Sequence, residues 1–348
     1  MIFVPNRWYV AGWDREVGRK PLARTICGEP IVLYRRLDGA AVAMRDACPH
    51  RLYPLSKGIL EGDNVRCAYH GFAFDGTGAC VDLPAEGAVA RNLKVQAYPV
   101  IERYRFVWVW IGDPAKADPA RLPDLWQCEH PDWTFDGGYY HIKCDYRLAI
   151  DNLMDLTHET YVHADSIGQP EILASPIETA VEDGQVFVRR WMLDVEPPPF
   201  WKYALKKEGK VDRWQICQFI PPATVIIDVG VAPAGAGAPE GDRSQGVNGY
   251  VVDFLTPESE TTHHYFWGMT RNFDTHDQGF TQRFREQQGN VFLEDQEVLE
   301  AQQASILMNP QMRLRAFNID VGGVRSRMLI DQAIRAELGD DQSELVEG

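Results

Sequence analysis

The chain has 348 residues, of which 45% are hydrophobic and 24% charged, with a net charge of −15 and a pI near 5.1. That length allows two ordinary domains, each with its own core, and the composition is that of a globular protein. The acidic balance repels phosphate backbones and argues against a nucleic-acid partner, and no run approaches the roughly 20 apolar residues of a membrane span. The opening residues, MIFVPNRWYVAGWDREVG, hold no basic region followed by an apolar run, so no secretion signal is expected and the protein is read as cytoplasmic. Seven cysteines (Cys27, Cys48, Cys67, Cys80, Cys128, Cys144 and Cys217) are odd in number and scattered. Reduced thiols are the default reading, and clustered ones become metal candidates.

The first third predicts short strands and turns. PIVLYRR and AVAMRDA are β-rich runs joined by a turn containing Asp-Gly, FAFDGTGACV reads as strand, turn, strand, and FVWVWIGDP is an apolar strand closed by Asp-Pro. An Ala, Asp and Pro-rich run follows, which sets a domain boundary near 118: residues 1–118 form one domain and 119–348 the other. In the second, DYRLAIDNLMDLTHETYVH carries apolar residues near helical spacing. Five β-rich runs then succeed one another without intervening helices, predicting an antiparallel sheet. A long helix from about Thr281 to Met308 and a terminal helix in VRSRMLIDQAIRAELG complete an α+β chain.

Two motifs carry chemistry. CPHR supplies Cys48 and His50, and CAYHG supplies Cys67 and His70. A tetrahedral Cys2His2 zinc accepts that set, but finger sites keep Cys with Cys and His with His. Here each short loop carries one of each. A Rieske [2Fe-2S] cluster needs that alternation, since both cysteines hold one iron and both histidines the other. Pro49 and Gly71 are expected to shape the loop tips.

The second motif is DLTHETYVH, Asp155 to His163. It resembles the H-E-x-x-H of zinc peptidases but is one residue too long. Residues five apart on a helix point about 140° from each other, so His158 and His163 meet only if the helix ends or bulges between them. Glu159 thereby loses its rationale as a peptidase base. A Rieske cluster moves single electrons and needs a destination. Two histidines and a carboxylate on one face of Fe(II), with open positions for O2, provide one. Glu294, Asp295, Glu297 and Glu300 are all candidates for the carboxylate, and spacing does not choose among them. Asp155, three residues before His158, is placed to accept that imidazole's second N–H.

These strings, with NRWYVAGW, RYRFVWVWIGDP, DRWQICQF, VVDFLTPESET and YFWGMTRNF, resemble the Rieske non-heme iron oxygenases, in particular the vanillate O-demethylase oxygenase components, over about residues 3–337. Dicamba monooxygenase is a more distant likeness. Tyr53 and Tyr69 stand where respiratory Rieske proteins have cross-linked cysteines, so the cluster is of the uncross-linked type. The resemblance implies a helix-grip catalytic domain, Cys48, His50, Cys67 and His70 as cluster ligands, and His158, His163 and Asp295 as ligands of a mononuclear Fe(II). It also implies a homotrimer in which Asp155 bridges the cluster histidine His70 of one subunit to His158 of the next, with Asn152 near the iron. The implied reaction uses O2 and electrons from NADH, delivered by a separate flavin and ferredoxin-type reductase, to O-demethylate a methoxylated, lignin-type aromatic acid. Vanillate would give protocatechuate and formaldehyde. Trp214, Tyr250, Trp267, Arg213 and Arg271 are candidate substrate contacts on strands, where bulky residues are more often core. A Rieske monooxygenase acting on another arene, and an electron carrier without catalysis, are the competing readings.

Overall fold

The computed structural model describes residues 3–84, 93–164 and 167–338. Chain packing divides it into two compact units, one of Phe3–Leu122 with Thr256–Ser259, the other of Pro123–Leu255 and Glu260 onward.

The first unit is built from three small antiparallel sheets. Arg7–Trp13, Phe106–Ile111 and Val100–Arg103 form one, and every residue of FVWVWI in Phe106–Ile111 is buried. Glu29–Arg35 and Ala41–Arg45 pair across the expected turn, where Gly39 takes φ +87°. The third sheet, Ile59–Glu61, Asn64–Arg66, Ala73–Phe74 and Cys80–Asp82, carries the CAYH loop between its second and third strands.

The second unit is organised around a seven-stranded sheet in the order Thr134–Ile142, His263–Arg271, Val247–Pro257, Thr224–Pro233, Val211–Ile220, Gln185–Val195, Ile177–Glu182. The pairings along it are antiparallel wherever registers are defined. The long helix Gln278–Met308 is capped by Asp277, whose carboxylate accepts the Phe280 N–H, and packs on the strand Thr134–Ile142. Its approach is close at Gly289, whose carbonyl accepts the Tyr140 hydroxyl at 2.9 Å. A Cβ there would lie 2.9 Å from that oxygen. No described helix is long and apolar enough to cross a membrane.

The stretch read from sequence as one helix is three pieces. An α-helix spans Tyr146–Leu153, a 3-10 turn Leu156–His158, and a short α-helix Glu159–Val162. The break falls at Met154 and Asp155, where Asp155 is extended and its carboxylate caps the new turn by accepting the Thr157 N–H at 2.8 Å. The Tyr146–Leu153 helix is tied to the long helix by the Asp145 N–H donating to Gln303 Oε1 at 2.8 Å, and to the terminal helix Val321–Leu338 by Arg327 on Asp151.

Candidate metal centres and substrate cavity

The two cysteine-histidine loops close identically. Cys48 N–H donates to Tyr53 O and Leu52 N–H to Cys48 O, while Cys67 N–H donates to Phe72 O and Gly71 N–H to Cys67 O. The fourth residue after each cysteine has positive φ: +57° at Leu52 and +77° at Gly71. Glycine meets that requirement freely; Leu52, its side chain solvent-exposed, meets it against its preference. Sequence reasoning identified Gly71 and Pro49 but missed Leu52, because leucine gives no turn signal.

Cys48 and Cys67 are buried, whereas His50 and His70 are exposed and face each other with ring centroids 4.5 Å apart. Burial pushes the Cys48 thiol up to about 11, against the backbone N–H of His50, which lowers it. A tetrahedral zinc would hold all four donors within about 4 Å of one another. Among the described residues only His158, His163 and Asp295 bring three such donors within 4.8 Å. The loop residues thus group as a cysteine pair inside and a histidine pair outside, which suits two irons and does not suit one zinc.

In the second unit the break in the helix brings His158 and His163 together. His158 ends the 3-10 turn and His163 leaves helical geometry at φ −108°, ψ 29°, so the rings lie 5.2 Å apart despite the five-residue spacing. Of the four candidate acids, Asp295 is the one that joins them, with Oδ1 3.4 Å from His158 Nε2 and 3.2 Å from His163 Nε2. Asn152 Nδ2 donates to the same Oδ1 at 3.0 Å. Glu294 instead accepts His163 Nδ1–H at 2.6 Å, Glu300 accepts Lys143 N–H, and Glu297 is exposed. His158 Nδ1–H donates to Asp155 at 2.5 Å, but to its main-chain carbonyl. The carboxylate expected in that role is the cap of the following turn, because an extended residue ahead of a 3-10 turn directs its side chain to the free N–H groups. Both imidazoles therefore commit Nδ1 and turn Nε2 to a common point, a donor set and tautomer that fit Fe(II).

Burial opposes protonation of both imidazoles, yet hydrogen bonding to Asp295 and its charge leave both raised above the ordinary histidine range. Burial likewise opposes ionisation of Asp295, and the hydrogen bonds from His158 and His163 overcome it, holding the carboxyl at about 2.

The triad lies on the wall of a cavity of about 820 Å³. The long helix contributes Phe284, Gln287 and Val291, the sheet Gln215, Ile227, Val229, Val251 and Met269, and the short helix Pro199–Leu205 Phe200 and Tyr203. Aromatic and aliphatic walls interrupted by polar and charged side chains, Glu159, Arg213, Gln215 and Arg283 among them, suit a small aromatic ligand that carries polar substituents. Of the five substrate candidates, only Arg213 lines the cavity. Trp214 packs away from it with Ala232 and Ala238, Tyr250 meets Trp126 and Trp133, Trp267 packs on Phe292, and Arg271 is tied to Phe273 O, Asp274 O and Thr281 Oγ1. Glu159, set aside as a base, is buried on the cavity wall, where both its oxygens accept Gln215 Nε2. Gln215 gave no signal in sequence, since a lone glutamine in a strand is unremarkable.

Two family models match: the Rieske [2Fe-2S] domain over residues 7–99 and the vanillate O-demethylase oxygenase C-terminal domain over 142–336. The chain belongs to the Rieske non-heme iron oxygenases of the vanillate O-demethylase type. It is 48% identical to the vanillate O-demethylase oxygenase subunit of Pseudomonas sp. (strain HR199 / DSM 7063), over 97% of this chain and 96% of that one. It is 39% identical to the toluene-4-sulfonate monooxygenase system iron-sulfur subunit TsaM1 of Comamonas testosteroni, covering 97% and 99%. A crystal structure of dicamba monooxygenase with non-heme iron and dicamba superposes with a TM-score of 0.84 at 35% identity, covering 97% and 99%. The chain is thus an oxygenase component with a Rieske [2Fe-2S] cluster and a mononuclear iron, and the reading as a carrier without catalysis is set aside.

Proposed function

We propose that this chain is the terminal oxygenase of an aromatic O-demethylase, with vanillate as substrate and protocatechuate and formaldehyde as products. The observation that carries the reading is the convergence of His158, His163 and Asp295 on one wall of a cavity of about 820 Å³ that is also lined by Phe200, Phe284 and Phe292. In this reading the first domain, residues 1–118, holds the cluster through Cys48, Cys67, His50 and His70. The second, 119–348, holds Fe(II) through His158, His163 and Asp295. Iron held by these residues would supply O2 activation, the overall reaction taking one oxygen atom into a methoxyl C–H and releasing the other, with two electrons and two protons, as water. The hydroxylated methoxyl is a hemiacetal, and its collapse releases formaldehyde and the phenol. NADH supplies the two electrons through a separate flavin and ferredoxin-type reductase.

The protein's own residues orient the reactants. Asn152 holds the coordinating carboxylate, Glu294 and the Asp155 carbonyl fix the two imidazoles, and the aromatic walls confine the ring. The exposed edge formed by His50 and His70 is a suitable exit for electrons. We assign Asp155 as the link from His70 of one subunit to His158 of the next in a homotrimer working in the cytoplasm, where cysteine thiols stay reduced. Turnover with a compatible reductase, NADH, O2 and vanillate tests this. About one formaldehyde and one protocatechuate per O2 is expected; O2 uptake without formaldehyde would leave an oxygenase of a different arene.

A further inference from the structure

Arg283, Gln287, Val291 and Asp295 of the long helix line the cavity in one i, i+4 row. Their chemistry runs from a cation through an amide and an apolar side chain to the carboxylate that joins the two histidines. Their burial runs the same way: Arg283 and Gln287 are exposed, Val291 and Asp295 buried. The row is therefore a depth axis. The metal ligands lie at its floor and Arg283 at its mouth, about 18 Å along the helix from Asp295 at roughly 1.5 Å per residue. Among the described residues the cavity wall carries two arginines, Arg213 and Arg283. Arg213 belongs to the floor and is already engaged, donating to Gln169 Oε1 with its Nη2 4.0 Å from Glu159 Oε2, next in the chain to His158. Arg283 has no hydrogen bond or ion pair among the described residues, in a chain of net charge −15.

We propose that Arg283 anchors the substrate carboxylate, which makes it a specificity-determining residue for anionic over neutral methoxyarenes. This rests on the O-demethylase reading and deepens it. In a 3-methoxybenzoate the carboxylate leaves the ring well away from the methoxyl, so a ring whose methoxyl reaches the floor directs its carboxylate up the cavity. At the floor the one arginine already faces Glu159, whereas the guanidinium at the mouth is unmatched and offers a carboxylate two parallel N–H donors. Val291 lines the stretch between, where the ring passes, and Gln287 adds an amide donor one turn from Arg283.

The test compares vanillate with vanillamide, its neutral isostere, on the holoenzyme, with Kd from calorimetry and kcat and KM from formaldehyde release. Wild type is expected to bind vanillate roughly 10-fold more tightly, the low end for a charge-assisted hydrogen bond because the guanidinium is exposed. Arg283→Met is expected to raise Kd and KM for vanillate by about that factor, to change kcat less, and to bring the two ligands within about threefold of each other. Arg283→Lys keeps the charge and loses the planar fork, so its preference should fall between the two. The wild-type comparison stands alone should a variant fail to fold. Equal Kd for vanillate and vanillamide in wild type, or an unchanged preference in Arg283→Met, overturns the proposal, and continued formaldehyde release would leave O-demethylation intact. Absence of formaldehyde from both substrates in wild type overturns the O-demethylase reading on which the proposal rests.

Discussion

His158 and His163 offer Nε2 to a metal because each Nδ1–H is already given away, one to the Asp155 carbonyl and one to Glu294. Such contacts fix the tautomer and strengthen the ligand, and their loss typically costs 10- to 100-fold in metal affinity. Glu294→Ala is therefore expected to weaken Fe(II) binding by roughly 10- to 100-fold, read by competition with a chelator, while the visible spectrum of the cluster is unchanged; unaltered affinity would make the 2.6 Å contact incidental. The protonation pattern gives a second expectation. The raised histidines contribute stability to metal-free protein that is complete below about pH 6.5 and lost as pH rises through their folded values. Asp295, held at about 2, contributes stability that is present above its ordinary value of about 3.9 and lost only as pH falls toward 2. Metal-free protein should gain most over His163→Ala between roughly pH 4 and 6.5, and metal, which displaces the imidazole protons, should bind more tightly above that window. Thermal melts at pH 5 and pH 8 check the first part; a larger advantage at pH 8 contradicts it.

At the level of elements, the broken helix between Tyr146 and Val162 decides whether there is a site at all. The sequence made the break a condition, since five-residue spacing on an intact helix separates the histidines by about 140°. It did not locate the break. Asp155 caps a 3-10 turn through its own side chain, and an aspartate inside an amphipathic pattern reads equally well as a helix surface residue. The choice of Asp295 was likewise open to spacing alone, because Glu294, Asp295, Glu297 and Glu300 share one helix and only packing against the sheet fixes which faces inward. The strand runs and the two cysteine-histidine loops were legible, since alternation, turn residues and ligand spacing are local signals. Gly289 marks where the long helix meets the sheet. Gly289→Val would overlap Tyr140 Oη, already 2.9 Å from a single added carbon, and is expected to cost about 1–3 kcal/mol. A lowered melting temperature of the iron-holding unit with weaker Fe(II) binding, and an intact cluster spectrum, would be the signature. An unchanged Tm would show that the helix can shift freely.

For the whole molecule, the division into a cluster-holding unit and an iron-holding unit separates electron storage from bond chemistry. Asp155, whose carboxylate caps the turn carrying His158, is where the two roles are proposed to meet between subunits. Asp155→Asn keeps a side-chain acceptor for the Thr157 N–H, so both metals should be retained while reduction of the iron by the cluster slows at least tenfold in stopped-flow. Loss of iron instead would make Asp155 structural. The central claim is that one chain holds two metal centres, with the mononuclear one built on His158, His163 and Asp295. Iron and acid-labile sulfide counted per chain test it most directly. The wild type is expected to carry three irons and two sulfides, and His163→Ala two irons with two sulfides, its cluster spectrum intact. Three irons retained in His163→Ala would contradict it.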